Sequence, residues 1–460
     1  MLLKNKYKEI KNFLDNNNIL TEMEECYCYA EDSSNLIKSK KTPDIVVFAE
    51  TIEEVQKILK YAYEHEIPVV SRGAGTNMVG SCVCNNGGIV LNFSKMNKIL
   101  DIDAVDMTIT VQPGVVLKDL KAEVDKKNLF FPPDPSNYAV STIGGAIAQS
   151  SGGAFGFKYG TTKDYVLSLK VVTADGKLLQ LGANTSKNST GYHLSQLIVG
   201  SEGTLAIIVE AVLKLIPKPE TMRAVSAYFD NIENAIDTVN KIVSSNLYPA
   251  AIDFMDNNSI KTVNDYTNCG LNTTKQCMLL IALDGTSGSV CEQTDILTNT
   301  LHLNGASEIK ISGNPKEYEA IWNSRRVSFA ATARLAPDVV TDDLIVPRKN
   351  LSKMVHKCRQ IADKYNLKMC LVGHAGDGNI HPQIALNLEA EDEFKSFMNA
   401  RAEMYEEAIA LEGTISAEHG IGLEKKAYLA HTVDSNTIEC MKMIKKVFDP
   451  KNILNPGKLL

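Results

Sequence analysis

A chain of 460 residues is too long for one hydrophobic core, so two or more domains are expected. Its 44 % hydrophobic and 22 % charged residues are ordinary for a globular protein, not a disordered or fibrous one. A net charge of −7 and a pI near 5.7 argue against nucleic acid as the main partner, and the lysines of "IKSKK" (37–41) and "KMIKK" (442–446) read as solvated faces. The ten cysteines are scattered, and the C-x-C pairs Cys26/Cys28 and Cys82/Cys84 match neither the common zinc spacing nor a ferredoxin cluster. The opening "MLLKNKYKEIKNFLDNNN" has no apolar stretch of signal-peptide length, so reduced thiols and a cytoplasmic location are expected.

In chain order, residues 4–16 read as an amphipathic helix with Ile10, Phe13 and Leu14 on one face. "PDIVVFAE" (43–50) reads as a strand. A helix follows, with Thr51 and Glu54 as a capping box and Val55, Ile58, Leu59 and Ala62 at helical spacing. "IPVVS" (67–71) is a strand that runs into "RGAGTNMVG", and "GGIVLNF", "TITVQPG" and "LSLKVVTADGKLLQLG" are further strands. Residues 135–157 carry no charge and could span a bilayer by length. Their Gly, Ser and Gln content makes transfer into lipid unfavourable, so no transmembrane segment is expected. Pro217 and Pro219 then punctuate the chain. After them the order is strand, helix, strand, strand, helix, strand ("RAVSAYF", "NIENAIDTVNKIVSS", "PAAIDFM", "CMLLIAL", "SVCEQTDILTNTLHL", "SEIKI"), the ferredoxin-like plan. "DDLIVPR", a helix over 350–365 and "KMCLVGH" extend that sheet, and the turn-rich "FDPKNILNPGKLL" is expected to pack back on the first domain.

The glycines of "RGAGTNMVG" (72–80) let backbone N–H groups approach an anion. The spacing is not the Rossmann fingerprint, because the third glycine comes late, at Gly80, and no P-loop occurs. A tight glycine turn would explain this loop on its own. "STIGGAIAQSSGGAFGFKYG" and "IVGSEGTLAIIVEA" add two more small-residue loops, however, and together the three suit a long ligand with a pyrophosphate laid against bare backbone.

"PDIVVFAETIEEV", "SRGAGTNMVG", "PPDPSNYAVSTIGGAIAQSSGGAFGFKYGTTKDYV" and "LIVGSEGTLAIIVEAVLKLIPKP" resemble the FAD-binding domain of the vanillyl-alcohol-oxidase and cresol-hydroxylase superfamily. "HAGDGNIH", "AEHGIG" and "DPKNILNPGK" narrow the resemblance to its branch of FAD-linked D-lactate dehydrogenases, glycolate oxidase subunits and D-2-hydroxyglutarate dehydrogenases. The resemblance runs from about residue 40 to the end. It implies an α+β fold with a two-part FAD-binding domain and a ferredoxin-like cap domain that takes substrate. The expected boundaries are a helical extension at 1–40, the FAD domain at 41–219, the cap with a metal site at 220–425, and a segment at 426–460 that returns to the FAD domain.

The resemblance also implies the cofactor residues. In the first loop these are Arg72, Gly73, Ala74, Gly75, Thr76, Asn77, Gly80 and Ser81. In the uncharged stretch they are Pro135, Ser141, Thr142, Gly145, Ala148, Gly152 and Tyr159, and further on Glu202, Gly203, Ile207 and Asn455. Superfamily members that attach flavin covalently often place a histidine in the first loop. This chain has none there, so non-covalent FAD is expected.

"GHAGDGNIH" (373–381) and "LEGTISAEHGIG" (411–422) hold histidines in glycine-rich surroundings. Along a single strand His374 and His381 would point to opposite faces, but the "GDGN" turn can bring them together. Read from residue type alone, they are either surface-loop histidines or, with Glu418, a three-ligand set for Zn²⁺ or Fe²⁺. The resemblance implies the latter, with His419 as the base and Arg325, then Arg334, as the cation for a substrate carboxylate. The 2-hydroxyglutarate enzymes carry a lysine shortly downstream. This chain reads "VVTDDLIVPR", where Asp342 or Asp343 would oppose a second carboxylate, which favours a short D-2-hydroxy acid such as lactate.

The expected reaction is metal-assisted oxidation to the 2-keto acid with hydride passing to FAD. The resemblance implies electron-transferring flavoprotein as the partner, with NAD⁺ used indirectly and ferredoxin as an optional second carrier, and membership of an oligomer or complex. Iron–sulfur subunits are the rival partners. Glycolate or D-2-hydroxyglutarate as substrate, an oxygen-using oxidase, and a non-catalytic flavin-binding subunit stay open as alternatives.

Overall fold

The computed structural model describes residue 7, residues 9–12 and residues 14–460. The helix expected over residues 4–16 falls partly outside them, and so does Phe13. Within the described residues Ile10–Asn12 is a short 3-10 turn, and Ile10 and Leu14 are buried. The chain divides into two units. One comprises the described residues up to Ser151, Thr161–Lys218 and Glu418–Leu460, and the other Gly152–Gly160 and Pro219–Ala417.

In the first unit the strands are β1 (Ile19–Leu20), β2 (Ile45–Phe48), β3 (Val69–Arg72), β4 (Ile89–Asn92), β5 (Ile99–Asp103), β6 (Thr108–Val111), β7 (Leu129–Phe130), β8 (Val166–Val172), β9 (Leu178–Gly182), β10 (Ile207–Lys214) and β11 (Ile216–Pro217). They form sheets in the orders β1-β2-β4-β3 and β5-β6-β10-β8-β9, with β7 and β11 as a separate pair. β2, β4 and β3 are parallel, which requires crossovers. The crossover after β2 is the helix Ile52–Glu64, whose Thr51/Glu54 capping box forms and whose Val55, Ile58, Leu59 and Ala62 are buried. Each of those larger side chains contributes about 1.5–3 kcal/mol by leaving water. The second sheet is antiparallel throughout. The last segment joins the edge of β3, where the Asn455 N–H donates to the Val69 carbonyl at 2.8 Å.

The uncharged stretch is not all loop: Ile143–Gln149 is a helix. Adjacent glycines disfavour a helix, but Thr142 caps this one through the Gly145 N–H, and Ile143, Ala146 and Ile147 bury one face.

In the second unit β12 (Thr221–Phe229), β13 (Ala251–Asp256), β14 (Cys277–Gly285) and β15 (Glu308–Ile311) lie in the order β15-β12-β14-β13, all antiparallel. Helices Ile232–Val243 and Ser287–Leu303 complete the ferredoxin-like arrangement. An additional helix, Asn257–Thr267, is capped by Asp256 and buries Ile260 and Val263. β16 (Asp338–Thr341), β17 (Leu344–Ile345), β18 (Lys368–His374) and β19 (Asn379–Leu386) extend the sheet, with β18 on β13 and β19 between β18 and β16. Among the described residues no helix is long and apolar enough to cross a membrane.

Candidate active site

In the second unit β18 and β19 form a hairpin closed by Ala375–Gly378. Within one strand an odd separation would put His374 and His381 on opposite faces, but across a hairpin the register decides. Val372 lies opposite His381 and His374 opposite Asn379, so the two histidines are diagonal neighbours on one face. Their ring centroids are 5.2 Å apart, edge to face, and both side chains are buried. The turn demands glycine. Gly378 has φ +84°, and a Cβ there would stand 2.1 Å from the Val346 carbonyl oxygen.

Each imidazole is oriented through Nδ1. Asp253 on β13 lies directly opposite His374, with Oδ1 2.8 Å from Nδ1. A carboxylate oxygen accepts, so this contact selects the tautomer with the proton on Nδ1 and the lone pair on Nε2. His381 Nδ1 lies 3.3 Å from the Asp342 carbonyl oxygen and 3.8 Å from Asp343 Oδ1.

Those two aspartates sit in one turn but serve differently. The Asp342 carboxylate accepts from Arg401 Nε and Nη2 at 3.2 and 3.0 Å and from the Tyr405 hydroxyl at 2.6 Å, all buried. Asp343 accepts from Asn379 Nδ2 at 3.0 Å, Ser416 Oγ at 2.9 Å and the Ala417 N–H at 2.8 Å. Asp342 is therefore neutralised by a guanidinium and cannot itself repel a second substrate carboxylate, which leaves Asp343 alone in that argument.

Arg325, at the end of the helix Pro315–Arg326, places Nε 2.9 Å from Asp253 Oδ2. The contact lies off the N–H axis, so it is an ion pair more than an aligned hydrogen bond. Arg334 is elsewhere: it is exposed and stacks its guanidinium 5.3 Å from the Tyr266 ring centroid.

In the first unit the glycine loops converge on Glu202. This residue has the left-handed φ of 52°, a conformation that costs a non-glycine residue about 1 kcal/mol. Its carboxylate accepts from Ser81 Oγ at 2.5 Å and from the Ile421 and Gly422 N–H groups at 2.8 Å each. Its carbonyl accepts from Asn455 Nδ2 at 2.6 Å, and its N–H donates to the Ala148 carbonyl at 2.9 Å. Burial pushes its pKa up, against those hydrogen bonds. Gly203 follows at φ +67°, where a Cβ would meet Ser71 and Asn455. Asn77 Oδ1 accepts from the Val79 and Ser81 N–H groups and closes the first loop. Glu418 and His419, both half-buried, lead into Ile421 and Gly422 in this unit.

The family described as FAD linked oxidases, C-terminal domain, matches residues 218–459, and the FAD binding domain matches residues 43–182. The chain belongs to the FAD-linked oxidase family. It is 42 % identical over 417 residues to the glycolate oxidase subunit GlcD of Bacillus subtilis, covering 91 % of this chain and 89 % of that one. It is 35 % identical to the D-lactate dehydrogenase of Anaerostipes hadrus, covering 92 % and 90 %. Its fold is that of p-cresol methylhydroxylase, with a TM-score of 0.83 over 99 % of this chain and 96 % of that chain at 17 % identity. This FAD-linked oxidase is an oxidoreductase.

The first unit of this FAD-linked oxidase fits the cofactor. A Cβ on Gly73 would lie 2.1 Å from Thr142 Oγ1, and one on Gly75 would lie 2.1 Å from the Arg72 guanidinium, so the loop packs too closely for a side chain at either position. Among the described residues, Ser141 Oγ and Gln149 Oε1 are buried atoms with no hydrogen-bond partner. Half-buried Thr76 and exposed Ala74 complete the first loop, and half-buried Pro135 accepts from the Tyr138 N–H at 2.9 Å.

Some expected cofactor residues have other surroundings. The Arg72 guanidinium donates to the Glu31 carbonyl at 2.7 Å and lies over the Tyr29 ring. Ile207 is buried in an apolar cluster with Val69 and Leu454. Gly152 and Tyr159 belong to the second unit, where the Tyr159 hydroxyl donates to Asp284. Sequence reasoning missed Asp253, Asn379 and Arg401. Asn379 lies inside the quoted motif, but nothing local to "AAIDFMD" or to the helix Glu391–Ala410 distinguishes a buried partner from a surface charge.

Proposed function

We propose that this oxidoreductase converts a short D-2-hydroxy acid, lactate before glycolate, to the 2-keto acid. The observation that carries the reading is the pair of buried imidazoles on one face of the β18–β19 hairpin, each held through Nδ1. Two oriented imidazoles beside a carboxylate suit a divalent cation such as Zn²⁺ or Fe²⁺. His374 and His381 would hold it, with Glu418 as third ligand. Glu418 is the residue after Ala417, whose N–H is bound to Asp343. The cation would supply Lewis acidity at the substrate hydroxyl. Arg325 orients the substrate carboxylate, and His419 takes the hydroxyl proton. FAD, when bound, supplies a two-electron acceptor.

Non-covalent FAD is supported by the first loop, which lacks histidine. It is also supported by Cys82, whose thiol burial pushes up to about 11, so that it stays protonated and a poor nucleophile. Acid precipitation should leave yellow flavin in the supernatant. Electron-transferring flavoprotein is the proposed electron acceptor, on the strength of the motif resemblance.

The test is anaerobic bleaching of the flavin by a panel of D-lactate, L-lactate, glycolate and D-2-hydroxyglutarate, with NAD⁺ reduction followed with and without electron-transferring flavoprotein. His374→Ala should lose metal and turnover yet keep FAD, and His419→Ala should keep metal and lose bleaching. Full turnover by a metal-free His374→Ala protein, or rapid NAD⁺ reduction by this chain alone, would refute the reading.

A further inference from the structure

We propose that Asp253 is a positioning residue that ties Arg325 to His374, making the substrate-carboxylate clamp and one metal ligand a single mechanical element. The inference rests on the roles proposed above for Arg325 and His374. Asp253 is fully buried in β13 and stands directly opposite His374 in the register. Cβ atoms of such cross-strand pairs lie about 5 Å apart, a span that a short aspartate and an imidazole can bridge without either leaving its strand. The carboxylate then divides its two oxygens: Oδ1 is 2.8 Å from His374 Nδ1, and Oδ2 is 2.9 Å from Arg325 Nε.

A second tether runs the other way. Arg325 Nη1 donates to Ser328 Oγ at 3.4 Å, and Ser328 Oγ also accepts from Gln383 Nε2 at 3.4 Å. Gln383 lies two residues beyond His381 on β19. The guanidinium is thus referenced to both strands that carry the histidines, and its Nε edge is committed to Asp253. A shift of the guanidinium therefore changes the charge beside the carboxylate that holds the His374 ring. Groups that hold a ligand imidazole through Nδ1 typically change metal affinity about 10- to 100-fold when removed.

The experiment uses full-length FAD-loaded protein, stripped of metal and titrated with Zn²⁺ against a chelator. Bound FAD per chain serves as the check on folding. Asp253→Asn should keep FAD, weaken Zn²⁺ about 10- to 100-fold, and raise KM for the hydroxy acid more than it lowers kcat. Arg325→Met touches no metal ligand directly, yet should weaken Zn²⁺ several-fold. Combined with Asp253→Asn it should add nothing further. Unchanged Zn²⁺ affinity in Asp253→Asn, or additive losses in the double variant, overturns the coupling.

If Asp253→Asn cannot be purified with FAD, Arg325→Met decides alone, and unchanged Zn²⁺ affinity there overturns the proposal. His374→Ala separates the two readings. If it retains full Zn²⁺ affinity, the ligand assignment fails, and the coupling then stands or falls on whether Asp253→Asn raises KM.

Discussion

Replacing Arg401 with leucine should destabilise the second unit by about 3 kcal/mol. Arg401 and Asp342 are 1 % and 2 % exposed, so neither charge has bulk water to fall back on. The substitution removes the guanidinium contacts to Asp342 Oδ1 at 3.2 and 3.0 Å, and the Nε contact to the Tyr405 hydroxyl at 2.8 Å. Breaking one side of a buried ion pair typically costs about 3–5 kcal/mol. The Tyr405 hydroxyl, 2.6 Å from the same carboxylate oxygen, remains as a donor, which places the loss at the lower end. Trp322, the chain's single tryptophan, is 4 % exposed in the second unit, so its fluorescence reports unfolding of that unit in urea. Arg401→Leu should move the urea midpoint well down. Arg401→Leu with Asp342→Asn should recover about half the loss or more, because the stranded charge has gone with its partner. A loss under about 1 kcal/mol, or a double variant no more stable than the single one, would refute the claim that burial makes this pair costly to break.

Gly73→Ala, whose Cβ would stand 2.1 Å from Thr142 Oγ1, should lower flavin absorbance per chain and leave the Trp322 transition in place. Normal flavin content would show that the loop can yield. Gly378→Ala should do the reverse, because a Cβ 2.1 Å from the Val346 carbonyl at φ +84° distorts the hairpin that carries both histidines. Metal should be lost while FAD is retained, and metal retained at normal affinity would count against the turn's role. Burial lowers Lys458 from 10.5 to about 8, opposed by Cys82, Cys84, Asp32 and Glu202. Between those pH values the unfolded chain binds more protons than the folded one, so FAD-free protein should gain up to about 3 kcal/mol as pH rises through that window. Lys458→Met should remove that rise, and an identical pH profile in both proteins would refute the assignment.

The sequence by itself determined the features set by short-range physics. The Thr51/Glu54 box and the spacing of Val55, Ile58, Leu59 and Ala62 specify their helix, because capping and amphipathic period are local properties. The strand and helix order after Pro219 specifies the ferredoxin-like sheet, because short connections and antiparallel pairing leave few topologies. The glycines at 73, 75 and 378 mark places where backbone must pass close to something, although not what that is.

The helix Ile143–Gln149 escaped because its glycines read as loop, whereas its stability comes from a buried face that tertiary packing supplies. The site itself was decided only in three dimensions. His374 and His381 share a face because of a register that residue spacing along one strand would contradict. Asp253 lies 121 positions from His374 along the chain and next to it across the sheet. The same is true of the neighbouring aspartates 342 and 343. One sits against Arg401, the other beneath Ser416 and Ala417, and only the packing of distant segments gives identical side chains such different partners.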